Sequence, residues 1–391
     1  MLKIKISILT PDLSHNCVGR AYLLAKMLKR RYDVEIIGPL FRDTIWYPLS
    51  QSRDIPFKTI KLQGRIKPYL ALKELIKEIN GNVIYASKPL FTSFGLGVIR
   101  KLTKRFPLIL DIDDWERGFR EESLRKLKLI KRLRYIFVHS IVHFYSFASY
   151  WNNVILEKMT FYADDITVSN SFLQQKFGGT IIWHGRDERH FDPSKHSTTK
   201  ARKQYGLPFN KKIVLFFGTP RPHKGIEDLI KAVALVKNKD VLLVIAGLDE
   251  TPYSQKVLKF ARKLLKDNFI GLGTQPFDKA PMIVAISDIV VIPQRRTLST
   301  IGQMPAKIFD AMAMEKPIIA TRVNDMPKVL DGYGWIVDPQ SPHQISEAIK
   351  YILSHHEEAK RKARIARSRF LRYYSFGALS KKLFKIFKKY E

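Results

Sequence analysis

Apolar and polar positions along the chain fall into the same rhythm twice. Residues 4–9 form a short apolar run of the kind a buried strand needs. The loop TPDLSHNCVGR, the helical stretch AYLLAKMLKRR and a second apolar run, VEIIG, follow. This is a strand–loop–helix–strand unit, the opening of a parallel, doubly wound sheet. Further strands are predicted at NVIYAS (82–87), PLILDI (107–112), DITVS (165–169) and TIIWH (180–184), with helices between them. The rhythm restarts after residue 210 with KKIVLFFG, the helix GIEDLIKAVALVKN and the strand DVLLVIAG. NFIGLG, DIVVIP and KPIIAT then alternate with helical segments such as PMIVAIS and AKIFDAMAM.

The polar stretch between the halves, broken by two prolines, reads as a linker. The pattern predicts an α/β chain of two Rossmann-like domains across a cleft. Residues 1–190 form the first domain, 191–210 the linker and 211–370 the second. Residues 371–391 form a basic C-terminal helix that packs back on the first domain. A length of 391 residues suits two cores.

Four segments carry candidate chemistry. In FFGTPRPHKG (216–225), Gly218 permits a sharp turn leaving a strand, and Arg221 and Lys224 sit in the loop before a helix. Such a loop suits a pyrophosphate; the plain alternative is a solvated connection. In GQMPAKIFDAMAMEKPIIAT (302–321), Gln303 is in a loop, Pro305 is in the first helical turn, and Lys307 and Asp310 are three residues apart. Lys307 would face phosphate and Asp310 a ribose diol; the alternative is an ordinary intrahelical pair worth a few tenths of a kcal/mol. In ADDITVSNSFLQQKFGGTIIWHGRDERHFDP, His184 and Asp187 stand at a strand end, which is also what a surface turn looks like. DIDDW (111–115) holds a D-x-D, a pattern able to bridge a divalent cation to a diphosphate. With a second α/β domain present, Asp113 and Asp114 are read as cleft-lining carboxylates, with no metal.

Charge changes the picture. Lys and Arg number 68 against 36 Asp and Glu, a net +32, which attracts polyanions: nucleic acid, an anionic membrane or a phosphorylated ligand. RGFREESLRKLKLIKRLR (117–134) has eight basic and two acidic residues, and the seventeen residues 135–151 after it have no Lys, Arg, Asp or Glu and seven aromatics. A basic helix followed by an aromatic, apolar segment suits an anionic bilayer interface; a buried helix beside a solvated one is the alternative. No helix-turn-helix, zinc-ligand or RNP-like pattern accompanies the charge, so nucleic acid is not the expected partner. The single cysteine, Cys17, excludes an intramolecular disulfide. The opening MLKIKISILT lacks the apolar core of a signal peptide, and no run reaches the roughly 18 apolar residues of a span. A cytoplasmic protein, peripheral on the inner face of the membrane, is the expectation.

Taken in order, these segments resemble glycosyltransferase family 4, the retaining group with the GT-B fold. ADDITVSNSFLQQKFG with IIWHGRDERHFDP is similar to that family's "A-D-x-x-x-x-x-S … N-G-x-D-x-x-x-F-x-P". FGTPRPHKGIEDLI is similar to "G-R-x-x-x-x-K-G", PAKIFDAMAMEKPIIAT to "L-E-A-M-A-x-G-K-P-V-I-A-T", and YGWIVDP to "G-x-L-V-x-P". MPAKIFDAMAM resembles the subset with a P-A/S-K segment. The resemblance implies retaining sugar transfer from a nucleotide-diphosphate sugar to a hydroxyl acceptor, a lipid-linked or cell-envelope glycan. It implies no metal and no resident cofactor. It places Gly19 in an acceptor-side loop, and Gly218, Gly247, Gln275, Gln303, Pro305, Lys307 and Asp310 around the donor. Arg221 and Lys224 would stabilise the departing diphosphate, and Asp114 and His184 would contact substrate. The chain departs from the family at three points: Thr219 replaces the usual arginine, His184 the usual asparagine, and Gly302 the first carboxylate of a Glu-x7-Glu pair. A non-catalytic sugar-nucleotide-binding or partner subunit, a nucleic-acid-binding protein and a sugar epimerase stay open as alternatives.

Overall fold

A computed structural model describes residues 4–62, 67–146 and 149–391. Phe147 and Ala148 of the aromatic stretch, and Met1–Lys3 of the opening segment, lie outside the described residues. The chain divides into two units. One comprises Met1–His184 with Ile301–Met304 and Leu379–Glu391; the other comprises Gly185–Thr300 with Pro305–Ala378.

In the first unit the strands are β1 (Lys5–Leu9), β2 (Asp33–Leu40), β3 (Phe57–Lys61), β4 (Val83–Ser87), β5 (Leu108–Ile112), β6 (Asp165–Val168) and β7 (Thr180–Ile181). They pair in parallel in the order β3-β2-β1-β4-β5-β6-β7. Every residue of VIYAS and LILDI is buried, as a parallel sheet covered on both faces requires. Leu9, Ile37, Leu75, Phe94, Leu110 and Ile112 share one core. β3 escapes the sequence pattern because FKTIK is a half-buried edge strand with two lysines. The predicted strand TIIWH is cut to two residues. Its last ladder bond is Ile182 N to Val168 O, 2.8 Å. Beyond it, Arg20 takes the carbonyls of Ile182 and Trp183 at 2.7 and 3.1 Å, so a side chain replaces the next strand.

The C-terminal segment belongs to the first unit from Leu379 onward. The expected helix over 371–391 is instead the helix Phe376–Phe387, because His356–Tyr373 is a separate helix ending just before it. Leu379, Leu383 and Phe387 are buried, and the Phe387 ring lies 5.3 Å from Tyr85 and 5.9 Å from Tyr32. Lys389 pairs with Asp165 at 2.9 Å.

In the second unit the strands are β8 (Lys212–Phe217), β9 (Val241–Leu248), β10 (Phe269–Gly273), β11 (Ile289–Ile292), β12 (Ile318–Thr321) and β13 (Trp335–Val337). All pair in parallel in the order β10-β9-β8-β11-β12-β13. The stretch 191–210, expected as a linker, is packed into this unit. Ser197 caps a helix, Thr198–Gln204, whose Arg202 is buried. Arg202 donates to Ile286 O at 2.9 Å and to Asp288 Oδ2 at 2.7 Å. One buried arginine thus turns a polar, proline-broken sequence into structure.

Candidate functional site

In each sheet the strand order reverses beside its first strand, between β1 and β4 and between β8 and β11. Ligands of open parallel sheets bind outside the carboxyl ends of the strands at such a switch point. In the second sheet Gly218 and Lys224 follow β8, and Lys307 lies in the connection between β11 and β12, at that point.

In the second unit β8 ends at Phe217, and Gly218 turns the chain with φ 130°, its N–H donating to Ala246 O at 2.8 Å. Gly247 (φ 107°) comes so close that a Cβ on it would lie 2.9 Å from the carbonyl carbon of Gly218. The two glycines therefore admit each other's backbone. Two lysines take the space: a Cβ on Gly218 would stand 3.6 Å from Lys307 Cε and 3.8 Å from Lys224 Nζ. Lys224 sits in a 3-10 turn, Pro222–Lys224, ahead of the helix Ile226–Val236, and donates to Thr219 O at 2.6 Å. Lys307 Nζ lies 4.4 Å over the Phe217 ring and 3.3 Å from Asp310 Oδ2. Burial lowers its pKa, with Asp310 opposing. Its helix, Lys307–Ala313, is a short one that begins after Pro305, which stands just outside it.

Asp310 is fully buried and ion-paired with Arg186 as well as Lys307. This differs from the expected ribose-facing carboxylate: two cations already take its charge. Arg186 is the residue that sequence reasoning missed. It stands in HGRD, where the pattern drew attention to its neighbours His184 and Asp187. Phe376 N donates to Arg186 O at 2.8 Å, and the rings of Phe191 and Phe277 lie 5.8 and 5.9 Å from the guanidinium carbon. Arg221 and Gln275 are each bonded to neighbours in the same unit. Arg221 donates to Asp249 Oδ2 at 3.2 Å and to Pro220 O at 2.6 Å. Gln275 donates to Gly273 O at 3.2 Å and accepts from Tyr205 at 3.4 Å.

In the first unit the loop after β4 carries Lys88 at φ 71°, buried, with its ammonium among three carboxylates. Asp113 and Asp114 lie 2.7 Å away and Glu116 2.6 Å. Burial acts against the charge of Lys88, yet the carboxylates outweigh it and hold its pKa well above the usual lysine range. Burial pushes the Asp113 carboxyl up to about 7, with Lys88 opposing and Asp114 and Asp111 adding to the rise. Asp111 faces a different cation: Arg20 grips it at 2.9 and 2.8 Å, and Thr167 donates to it at 2.7 Å. The D-x-D carboxylates thus serve two separate ion pairs. Among the described residues no group of three or more His, Cys, Asp or Glu is placed to hold a metal ion.

Gln303 Nε2 donates to Asp114 at 3.1 Å, and Asn170 donates to Gly302 O at 3.1 Å. A Cβ on Gly302 would lie 2.5 Å from Trp115 Cβ and 3.1 Å from Trp115 N. That contact explains the missing side chain: the tryptophan after Asp114 fills the place where any longer residue would start. Gly19 is not in a loop; it lies in the first turn of the helix Val18–Leu28, and a Cβ there would meet Trp46 at an ordinary 3.6 Å. Its neighbour Arg20 is what ties this helix to the sheet, through Asp111 and the backbone leading to the buried His184.

Residues 197–369 match the family model of glycosyl transferases group 1. The D-inositol 3-phosphate glycosyltransferase of Corynebacterium glutamicum is 30% identical over 190 residues, 46% of this chain and 44% of that protein. N-acetyl-alpha-D-glucosaminyl L-malate synthase of Bacillus anthracis is 29% identical over 151 residues, 38% of this chain and 37% of that protein. The chain therefore spans less than half the length of the curated relatives it matches. Anabaena Alr3699/HepE, solved in complex with UDP-glucose, shares the fold with a TM-score of 0.76 at 19% identity, over 99% of this chain and 100% of that one. Sucrose-phosphate synthase from Thermosynechococcus elongatus gives 0.72 at 16% identity, over 99% of each chain. The chain has the α/β fold of these GT-B structures, and its residues 197–369 are similar to the glycosyl transferases of group 1.

Proposed function

We propose that this chain is a family 4 transferase of the P-A/S-K subset, moving a sugar from a nucleotide-diphosphate donor to a hydroxyl with retention of configuration. The observation that carries this reading is the convergence of Lys224 and Lys307 beside Gly218, at the switch point of the second sheet. Charge grows on the diphosphate as the sugar leaves. Two ammonium groups fixed beforehand lower the energy of that state without reorganisation. Arg221 would join them by leaving Asp249. No metal is required in this scheme, and the leaving phosphate itself takes the acceptor proton.

Donor contacts are assigned to Gly218, Gly247, Gln275, Pro305 and Lys307, with Asp310 holding Lys307 in place. Gln303 is assigned to the substrate side through its bond to Asp114. Asp114 has the most exposed side chain of the three carboxylates on Lys88, 19% against 7% for Asp113 and 15% for Glu116. It is the group assigned to an acceptor hydroxyl, with His184 supporting the same region. The acceptor is assigned to the lipid-linked or cell-envelope glycans, at an anionic membrane surface on the cytoplasmic side. UDP-sugars are the first donors to try, since the solved neighbour holds UDP-glucose.

The test is a panel of nucleotide sugars with product analysis, on the wild type and on Lys224→Ala. Loss of one such donor group costs about 10²–10³ in transfer rate, and wild-type-like turnover of Lys224→Ala would remove its role. A second reading, a sugar-nucleotide-binding subunit without transfer, draws on Gly302, which Trp115 leaves no room to be a carboxylate. Nucleotide-sugar binding without product in any acceptor mixture favours that reading.

A further inference from the structure

Residues 123–156 contain six Lys and Arg, two His and no Asp or Glu. Within them, every residue from Arg125 to Arg134 is exposed. The helix Leu129–Arg134 buries none of its side chains, nor does the π-helical turn Tyr135–His139 after it. What is exposed there is as apolar as it is basic. Ile130 is 82% exposed, Leu129 69%, Val142 62%, Ile141 60% and Phe137 57%. Scattered single apolar residues on a surface need no explanation, but a contiguous set beside a like-charged cluster marks an interaction site.

From this we infer that the segment Leu127–Val142 of the first unit is a bilayer-docking element, which lays Leu129, Ile130, Phe137 and Ile141 into the interface of an anionic membrane. Ile130, Leu133, Phe137 and Ile141 recur at spacings of three and four, as one face of a helical path does. Lys128, Lys131, Arg132 and Arg134 lie between them, on stems long enough to reach the headgroups while the apolar groups enter the acyl boundary. Charge selects this occupant. A second copy would bring a segment of the same sign against it, and nucleic acid would answer the lysines and leave Ile130 and Phe137 in water. An anionic bilayer answers both. No helix among the described residues is long and apolar enough to cross a membrane, so the element lies along the surface. The inference deepens the membrane placement proposed above and stands apart from sugar transfer, which can be assayed with soluble acceptors.

Sedimentation of the full chain with vesicles tests it. The wild type should bind mixed phosphatidylcholine–phosphatidylglycerol vesicles, and bind phosphatidylcholine alone at least about tenfold more weakly. The double variant Ile130→Glu, Phe137→Glu should lose about tenfold or more in partitioning while keeping its thermal unfolding and nucleotide binding. A readout that does not depend on the stability of that variant comes from Phe137→Trp: brominated acyl chains should quench its added fluorescence. Failure of the wild type to bind anionic vesicles overturns the inference. So does undiminished binding by the double variant, or an added fluorescence in Phe137→Trp that brominated chains leave unquenched. If the double variant instead abolishes a dimer or nucleic-acid binding and leaves vesicle binding intact, the face belongs to that other partner.

Discussion

At the scale of single residues, the Arg186–Asp310 pair shows how a carboxylate that reads as a ligand in sequence becomes an anchor in three dimensions. Asp310 is fully buried between Arg186 and Lys307. Removing one partner of a buried pair leaves an uncompensated charge, at a cost of about 3–5 kcal/mol. The two halves are not equivalent. Arg186→Met leaves Asp310 still paired with Lys307, whereas Asp310→Leu leaves two cations facing each other. Urea unfolding should therefore show the larger loss for Asp310→Leu, with the double variant less destabilised than the sum of the singles. Equal and additive losses would mean the pair is not coupled. Arg186 was invisible in the sequence because an arginine in a polar turn is ordinary. Only the fold brings it to a residue 124 positions away.

At the scale of elements, the loops after β4 and β5 form a cluster that titrates. In the folded chain the Asp113 carboxyl is raised to about 7 by burial, against 3.8 for the ordinary group. A raised carboxyl holds its proton more tightly folded than unfolded, so its effect is absent at low pH. Stability is lost as pH climbs from about 4 through 7 and then levels. Asp113→Asn removes that titration. The unfolding midpoint of the variant relative to wild type should therefore rise across this window and stay constant above it; a flat difference from pH 4 to 8 would contradict the assignment. Lys88 carries the same sign at far higher pH: its pKa is raised too, so the stability it contributes is fully present below the ordinary lysine range and is lost only as the pH becomes strongly alkaline. The strand-end position of DIDDW was legible in the apolar run that precedes it. That Asp111 belongs to Arg20 and Asp113 to Lys88 was not, because those cations come from other elements. Gly302 is the same lesson in steric form: its reason is the Cβ of Trp115, in a segment distant in sequence.

At the scale of the whole molecule, binding and stability are linked. A nucleoside diphosphate that engages the Gly218 loop binds only the folded chain. At a hundred times its dissociation constant it should add about 2.7 kcal/mol to stability. A thermal-shift panel of nucleotides and nucleotide sugars reads this directly, and the absence of a shift with every nucleoside diphosphate would remove the proposed donor site. The net charge of +32 enters only as a background. It raises the encounter rate with any anion and does not select among them, so selection has to come from where the charges stand.

The sequence by itself determined the repeated strand–helix rhythm, the strand-end positions of the glycine–lysine loop and of DIDDW, and the basic, apolar stretch after residue 117. These are local properties: period, turn chemistry and composition are set by neighbours along the chain. Tertiary structure decided which charges meet, as in Arg20 with Asp111, Lys88 with Asp113 and Arg186 with Asp310. It also decided that residues 191–210 are packed, and that the residues between Arg125 and Arg134 are left uncovered. Pairing and burial depend on what the fold brings together from far along the chain, and no short window of sequence contains both partners.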